Sequence, residues 1–151
     1  MRCLTKRSRR VSELRLVRGL VDTCVIIDLP HIDPQQLPQE LVISAITLAE
    51  LAAGPHATGN SQERARRQDR LQRVEALFDP LPIDAPVARA YGQLYAAVVA
   101  AGRKMRGPRA FDLMIAATAL ANQLPLYTSN PGDFRDVTTL VEIRSVSPAM
   151  R

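Results

Sequence analysis

The sequence predicts an α/β fold: a largely parallel central sheet of about four to five strands, flanked by helices on both faces. Three observations carry that expectation. Short apolar, β-branched runs alternate with longer runs of helical period along the whole chain, which calls for parallel strands joined by helical crossovers. The strand-like runs are apolar almost throughout, as strands covered on both faces must be. A length of 151 residues is enough for one domain with its own core.

Taken in order, residues 1–18 lack a clean apolar period and read as a basic, flexible arm, followed by a single domain over 19–147. Residues 1–19 hold seven basic residues against the one acid Glu13, a net of +6; the remainder, with 13 basic and 14 acidic residues, is −1. The high isoelectric point belongs to the arm. Overall charge therefore does not argue for a nucleic-acid-binding body, and only local patches could.

Gly19, Leu20 and Val21 have the character of a buried strand, after which Asp22 and Thr23 supply helix N-cap chemistry. Pro30, Pro34 and Pro38 mark a connector. Residues 41–44 form a second strand, and Ser44 caps a helix that runs to Ala53 and stops at Gly54-Pro55. Asn60 and Glu63 are spaced as a capping box. The helix they open carries Arg64, Arg66, Arg67, Arg70 and Arg73, which read as a solvated face, with Leu71, Val74, Leu77 and Phe78 as the buried side. Residues 81–83 make a short third strand. Asp84 and Pro86 then open a helix whose Val87, Tyr91, Leu94, Tyr95 and Val98 recur at helical spacing up to Gly102. A further helix covers 111–122, and residues 125–128 and 140–143 are the last two strands.

Chemistry is concentrated in isolated acids. Glu50 is the only charged residue between Leu41 and Pro55, Asp112 is the only one between Phe111 and Asn130, and Asp22 stands at the end of the first apolar strand. Three acids buried separately would be costly, so they are expected to meet around a cation. With aligned strand ends, Asp22, Glu50, Asp112 and Asp133 converge at the carboxyl edge of the sheet, where such folds keep their crevices. An all-oxygen set without histidine suits Mg²⁺ or Mn²⁺. Arg103, Lys104, Arg106 and Arg109, a compact basic loop directly before Asp112, are placed to hold phosphate oxygens.

Other chemistries find no support. Cys3 and Cys24 are too few for a disulfide framework and lack metal-ligand spacing, no glycine-rich phosphate loop is present, and His31 and His56 sit in loops without a paired nucleophile. No apolar run is long enough for a membrane span and no secretory signal is visible, so a cytoplasmic location is the default. A phosphoacceptor domain would need an acidic pair at the first strand and a late lysine, whereas the only lysines are Lys6 and Lys104.

Four segments carry a family resemblance: VDT after the first strand, AELAAG around Glu50, FDLMIAATAL around Asp112, and LYTSNPGDF at the end. In that order and spacing they resemble the PIN domain, and more narrowly the VapC toxins of bacterial VapBC toxin–antitoxin pairs. The resemblance covers roughly residues 19–145. It implies a PIN-like fold and a metal-dependent endoribonuclease that inhibits translation, forms homodimers and is restrained by a cognate VapB antitoxin. Asp22, Glu50 and Asp112 match the family's core acids and Asp133 its more variable fourth. Thr128 and Asn130 match the polar residues of the last motif, with Thr23 beside the first acid. Asp22 and Asp112 are then the metal ligands, with Glu50 and Asp133 acting directly or through water. The arm is the one departure, because such toxins begin near the first strand. The alternative is a non-catalytic RNA- or protein-binding module on the same fold.

Overall fold

The computed structural model describes residues 17–105, 107 and 109–149. All but the last two residues of the basic arm lie outside that set, as does Arg106. Four parallel strands, β1 (Arg18–Val21), β2 (Glu40–Val42), β3 (Leu126–Thr128) and β4 (Ile143–Ser145), form a sheet in the order β2-β1-β3-β4. Among the described residues five α-helices accompany it: α1 (Thr23–Asp28), α2 (Ala45–Ala53), α3 (Ser61–Leu77), α4 (Ala85–Ala100) and α5 (Arg109–Ala121). The chain leaves β1 for β2 on one side and reaches β3 on the other. The strand order therefore reverses between β1 and β3, and an open α/β sheet has its crevice at that point.

Side chains alternate across the sheet and create two cores. Leu20, Val42 and Leu126 face one way, onto Val87, Leu94 and Val98 of α4 and Ile115, Ala116 and Ala119 of α5. Val21, Ile43 and Tyr127 face the other way, onto Val25 and Ile26 of α1 and Val74 of α3. The helix expectations for α2, α4 and α5 hold to within two residues at each end. Gly19 is required by close approach: a Cβ there would come within 2.7 Å of Cδ2 of the Tyr127 ring.

Several expectations need correction. Arg18 belongs to β1, pairing with Glu40 across the sheet with its side chain 3.3 Å from the Glu40 carboxylate, so the first strand begins one residue earlier than expected. The expected strand at 81–83 reduces to one bridge, in which Leu81 donates to Ile43 O and accepts from Ala45 N. Pro80 and Pro82 on either side lack the N–H groups a longer ladder needs. The last strand lies three residues later than expected: Leu140 and Val141 turn back to the Val137 carbonyl before β4 begins. Leu77 is 79% exposed and Tyr95 41%, so neither is core. The capping box is one-sided. Asn60 Oδ1 accepts from Glu63 N at 2.9 Å, while the Glu63 carboxylate turns to Arg67 instead.

Candidate active site

Asp22 follows β1 directly, its backbone N–H bonded to Tyr127 O of β3, so its carboxylate stands at the switch point between the two strands. It is buried, 6% exposed, and fully engaged. Oδ1 accepts from Thr23 N at 2.8 Å, and Oδ2 accepts from Thr128 Oγ1 at 2.9 Å and from the Cys24 thiol at 3.4 Å. Thr128 is itself fixed, because its hydroxyl accepts from Asn130 N at 3.0 Å. Such a relay sets the direction of the carboxylate.

Glu50 reaches the crevice from α2. Thr23 Oγ1 donates to Glu50 Oε1 at 2.8 Å and lies 3.0 Å from the buried Thr47 Oγ1. Burial pushes the Glu50 carboxyl above its ordinary value, the Asp22 charge adds to this, and the Thr23 hydroxyl opposes it. Ser44, the N-cap of α2, has its hydroxyl 3.2 Å from that of Thr118, and this tie sets the helix against α5.

Asp112 lies in the first turn of α5, half-buried. Its carboxyl is pushed up from an ordinary 3.8 to about 6, first by burial and then by the charges of Asp22, Asp133 and Glu50. That single group therefore feels all three other acids. Asp133 is exposed, in the 3₁₀ turn after β3, with its N–H bonded to Asn130 O. Among the described residues no three acid, histidine or cysteine side chains stand close enough to form a finished metal shell. Mutual repulsion spreads carboxylates in this way, and a hydrated Mg²⁺, which retains most of its waters, needs only one or two of them directly.

Two clefts flank the acids. One, of about 250 Å³, is lined by Asp112 and Asp133 together with Arg103, Arg109 and Arg135. Within it Arg103 is committed, its Nε 2.9 Å from the Asp136 carboxylate, whereas Arg109 bonds only weakly, to Lys104 O at 3.3 Å. Of the basic loop, Arg109 is thus the cation left for a ligand beside Asp112; Lys104 is exposed and Arg106 lies outside the described residues. The second cleft, of about 540 Å³, is lined by Thr23 and Glu50 together with Glu63, Arg66, Arg67 and Arg70 of α3.

Sequence reasoning missed Thr47, Cys24 and these cleft-lining arginines. Thr47 sits one helical turn before Glu50, a spacing that could have marked it. Cys24 is two residues from Asp22 and bonds back to it, with its thiol pushed up by burial and by the Asp22 charge. His31 and His56 are exposed and take no part among the described acids.

Comparison with known proteins agrees with this fold. The PIN domain family model matches residues 19–140. The chain is 33% identical over 115 residues to Ribonuclease VapC5 of Mycobacterium tuberculosis, covering 74% of this chain and 82% of that protein. It is 34% identical over 116 residues to Ribonuclease VapC4 of the same organism, covering 75% and 86%. Among solved structures, VapBC-5 of M. tuberculosis, a member of the VapBC family of toxin–antitoxin systems, superimposes with a TM-score of 0.76 at 32% identity, covering 86% of this chain and 99% of the other. FitAcB from Neisseria gonorrhoeae gives 0.66 at 30% identity, covering 82% and 94%.

Proposed function

This chain belongs to the PIN-domain family, and within it to the VapC ribonucleases, and from that membership we propose that its four-acid crevice is the centre of a metal-dependent endoribonuclease whose cutting of RNA inhibits translation. The observation that carries the reading is the half-buried Asp112 at the sheet's switch point, whose carboxyl is pushed up first by burial and then by the charges of Asp22, Asp133 and Glu50. Like charges held together in this way are unfavourable unless a cation offsets them.

Mg²⁺ or Mn²⁺ would be held by Asp22 and Asp112, with Glu50 and Asp133 contributing directly or through water. Bound there, the ion supplies an acidified water and charge neutralisation at the phosphodiester. The chain's own residues do the rest. Thr128 and the Thr23 N–H hold the Asp22 carboxylate in one direction, and the Thr23 hydroxyl holds Glu50. Asn130 N–H anchors Thr128, and Arg109 stands ready for phosphate oxygens beside Asp112.

A cognate VapB-type antitoxin is the partner this family membership implies, and an apolar groove supports it. Ile26, Ile27, Leu29 and Pro30 at the α1 end and Val74, Leu77 and Phe78 at the end of α3 line a groove of about 360 Å³. Ile27, Arg66 and Arg70 are shared with the Glu50 cleft, so an apolar helix seated in the groove could extend a cationic side chain toward the acids. Self-association is proposed on the same membership, with Tyr95, Val99 and Phe111 leaving apolar surface on α4 and α5. Among the described residues no helix is long and apolar enough to cross a membrane; a cytoplasmic location is proposed from the RNA substrate.

The test is incubation of antitoxin-free protein with single-stranded RNA. Cleavage that needs Mg²⁺ or Mn²⁺, stops with a chelator and is suppressed by the co-expressed antitoxin is the expected result. RNA binding without cleavage under any divalent ion would instead establish the non-catalytic alternative.

A further inference from the structure

Five arginines on one helix have three different fates. Arg64 donates to Pro55 O at 3.2 Å and Thr58 O at 3.1 Å, and Arg67 donates to Gly54 O at 2.9 Å and pairs with Glu63 at 3.1 Å. Both tie α3 to the turn that ends α2, the helix of Glu50. Arg73 pairs with Asp69 at 2.8 Å, outside the Glu50 cleft. Arg66 keeps only a long contact to Glu63 at 3.8 Å, and Arg70, half-buried, forms no ion pair with any described acid. These two, one turn apart, line the same cleft as Glu50, yet no ion pair joins either to it.

A nuclease must hold the phosphates that flank the one it cuts, and those lie outside the acid centre on either side. Arg109 serves the Asp112 side. We propose that Arg66 and Arg70 form a phosphate-binding wall that carries the RNA strand along the Glu50 side of the crevice. The cleft's volume, about 540 Å³, falls within the range of roughly 300–1,000 Å³ common to ligand sites. The two arginines present fork-shaped donors to it, the geometry suited to phosphate. The assignment rests on the ribonuclease reading and adds the path of the strand to it.

The full-length chain carrying Asp22→Asn, inert for cleavage, is titrated with a fluorescently labelled single-stranded RNA at several salt concentrations. Adding Arg66→Gln and Arg70→Gln together lowers the slope of log affinity against log salt by about 1.4, since each phosphate contact on a single strand contributes roughly 0.7. Arg66→Lys with Arg70→Lys retains most of that slope, and Arg73→Gln leaves it unchanged. Matching thermal unfolding of all variants separates a lost contact from a lost fold. An unaltered slope in the double glutamine variant overturns the wall while leaving the nuclease reading standing. Absence of RNA binding by the Asp22→Asn parent itself takes both down. If the double variant keeps its RNA slope but no longer retains the antitoxin, the wall serves a protein partner and the RNA assignment is overturned.

Discussion

Asp112 is the residue whose environment has the most measurable consequence. Its carboxyl titrates at about 6 when folded against an ordinary 3.8, so the folded state binds its proton more tightly than the unfolded state does. The sign follows: the metal-free protein loses stability as pH rises from about 4 to about 6, because ionised Asp112 is then charged while half-buried and beside three other acids. Asp112→Asn removes that penalty. The melting temperature of the variant, relative to the parent without metal, should rise across this window and level off above it; a constant difference from pH 4 to 8 would contradict the raised Asp112 carboxyl. Asp22→Asn behaves differently. The Asp22 carboxylate accepts three hydrogen bonds, and an amide offers an N–H₂ where Thr128 and Cys24 donate, so relief of repulsion is offset by mismatched donors. Cleavage should be abolished in both variants, with a gain in melting temperature only for Asp112→Asn. The lone acids were legible in the sequence because an unaccompanied charge in an apolar run demands a partner. Arg66 and Arg70 were not, because a row of arginines repeats with the same period whether it faces bulk water or a cleft.

At the scale of elements, β1 and β3 matter most, since between them they hold Asp22 and Thr128 in register. Gly19 allows that pairing by leaving room for the Tyr127 ring, on whose other flank Arg144 lies 6.0 Å from the ring centroid. Gly19→Ala forces the ring to move and should cost about 1–3 kcal/mol in denaturant unfolding, as overpacking of a tight core does. A change below about 0.5 kcal/mol, the range of ordinary surface substitutions, would show that the ring yields freely. Helices with clear caps and punctuation, such as α2 after Ser44 and α4 after Asp84, could be read to within two residues of their ends. The edges of the sheet could not. Residues 81–83 look like a strand by composition but are flanked by prolines that cannot donate. The run before β4 contains Val141, which is buried in a turn rather than a strand. Apolar content reports burial there, not conformation.

For the whole molecule, the division of charge is decisive: a basic segment of +6 precedes a body of −1, and six arginines of that body line the two clefts beside the acid centre. The arm's role could not be read from its charge, and its structure lies outside the described residues. Because Arg18 pairs into β1, the informative truncation removes residues 1–17. Cleavage at saturating RNA should survive it while RNA affinity at low salt falls; loss of folding would show that the segment belongs to the domain. The central claim, that Asp22, Glu50, Asp112 and Asp133 form a cation site, is reached most directly by calorimetric titration of Mg²⁺ and Mn²⁺ into antitoxin-free protein, which is indifferent to trace contaminating nucleases. The wild-type chain should give a saturable binding heat, with affinity that rises with pH through about 6 as Asp112 ionises. Asp22→Asn should weaken that affinity at least tenfold, on the scale of about 1.4 kcal/mol or more expected when a ligand is lost. Equal affinity in the two proteins, or no binding heat in the wild type at millimolar ion, would contradict it.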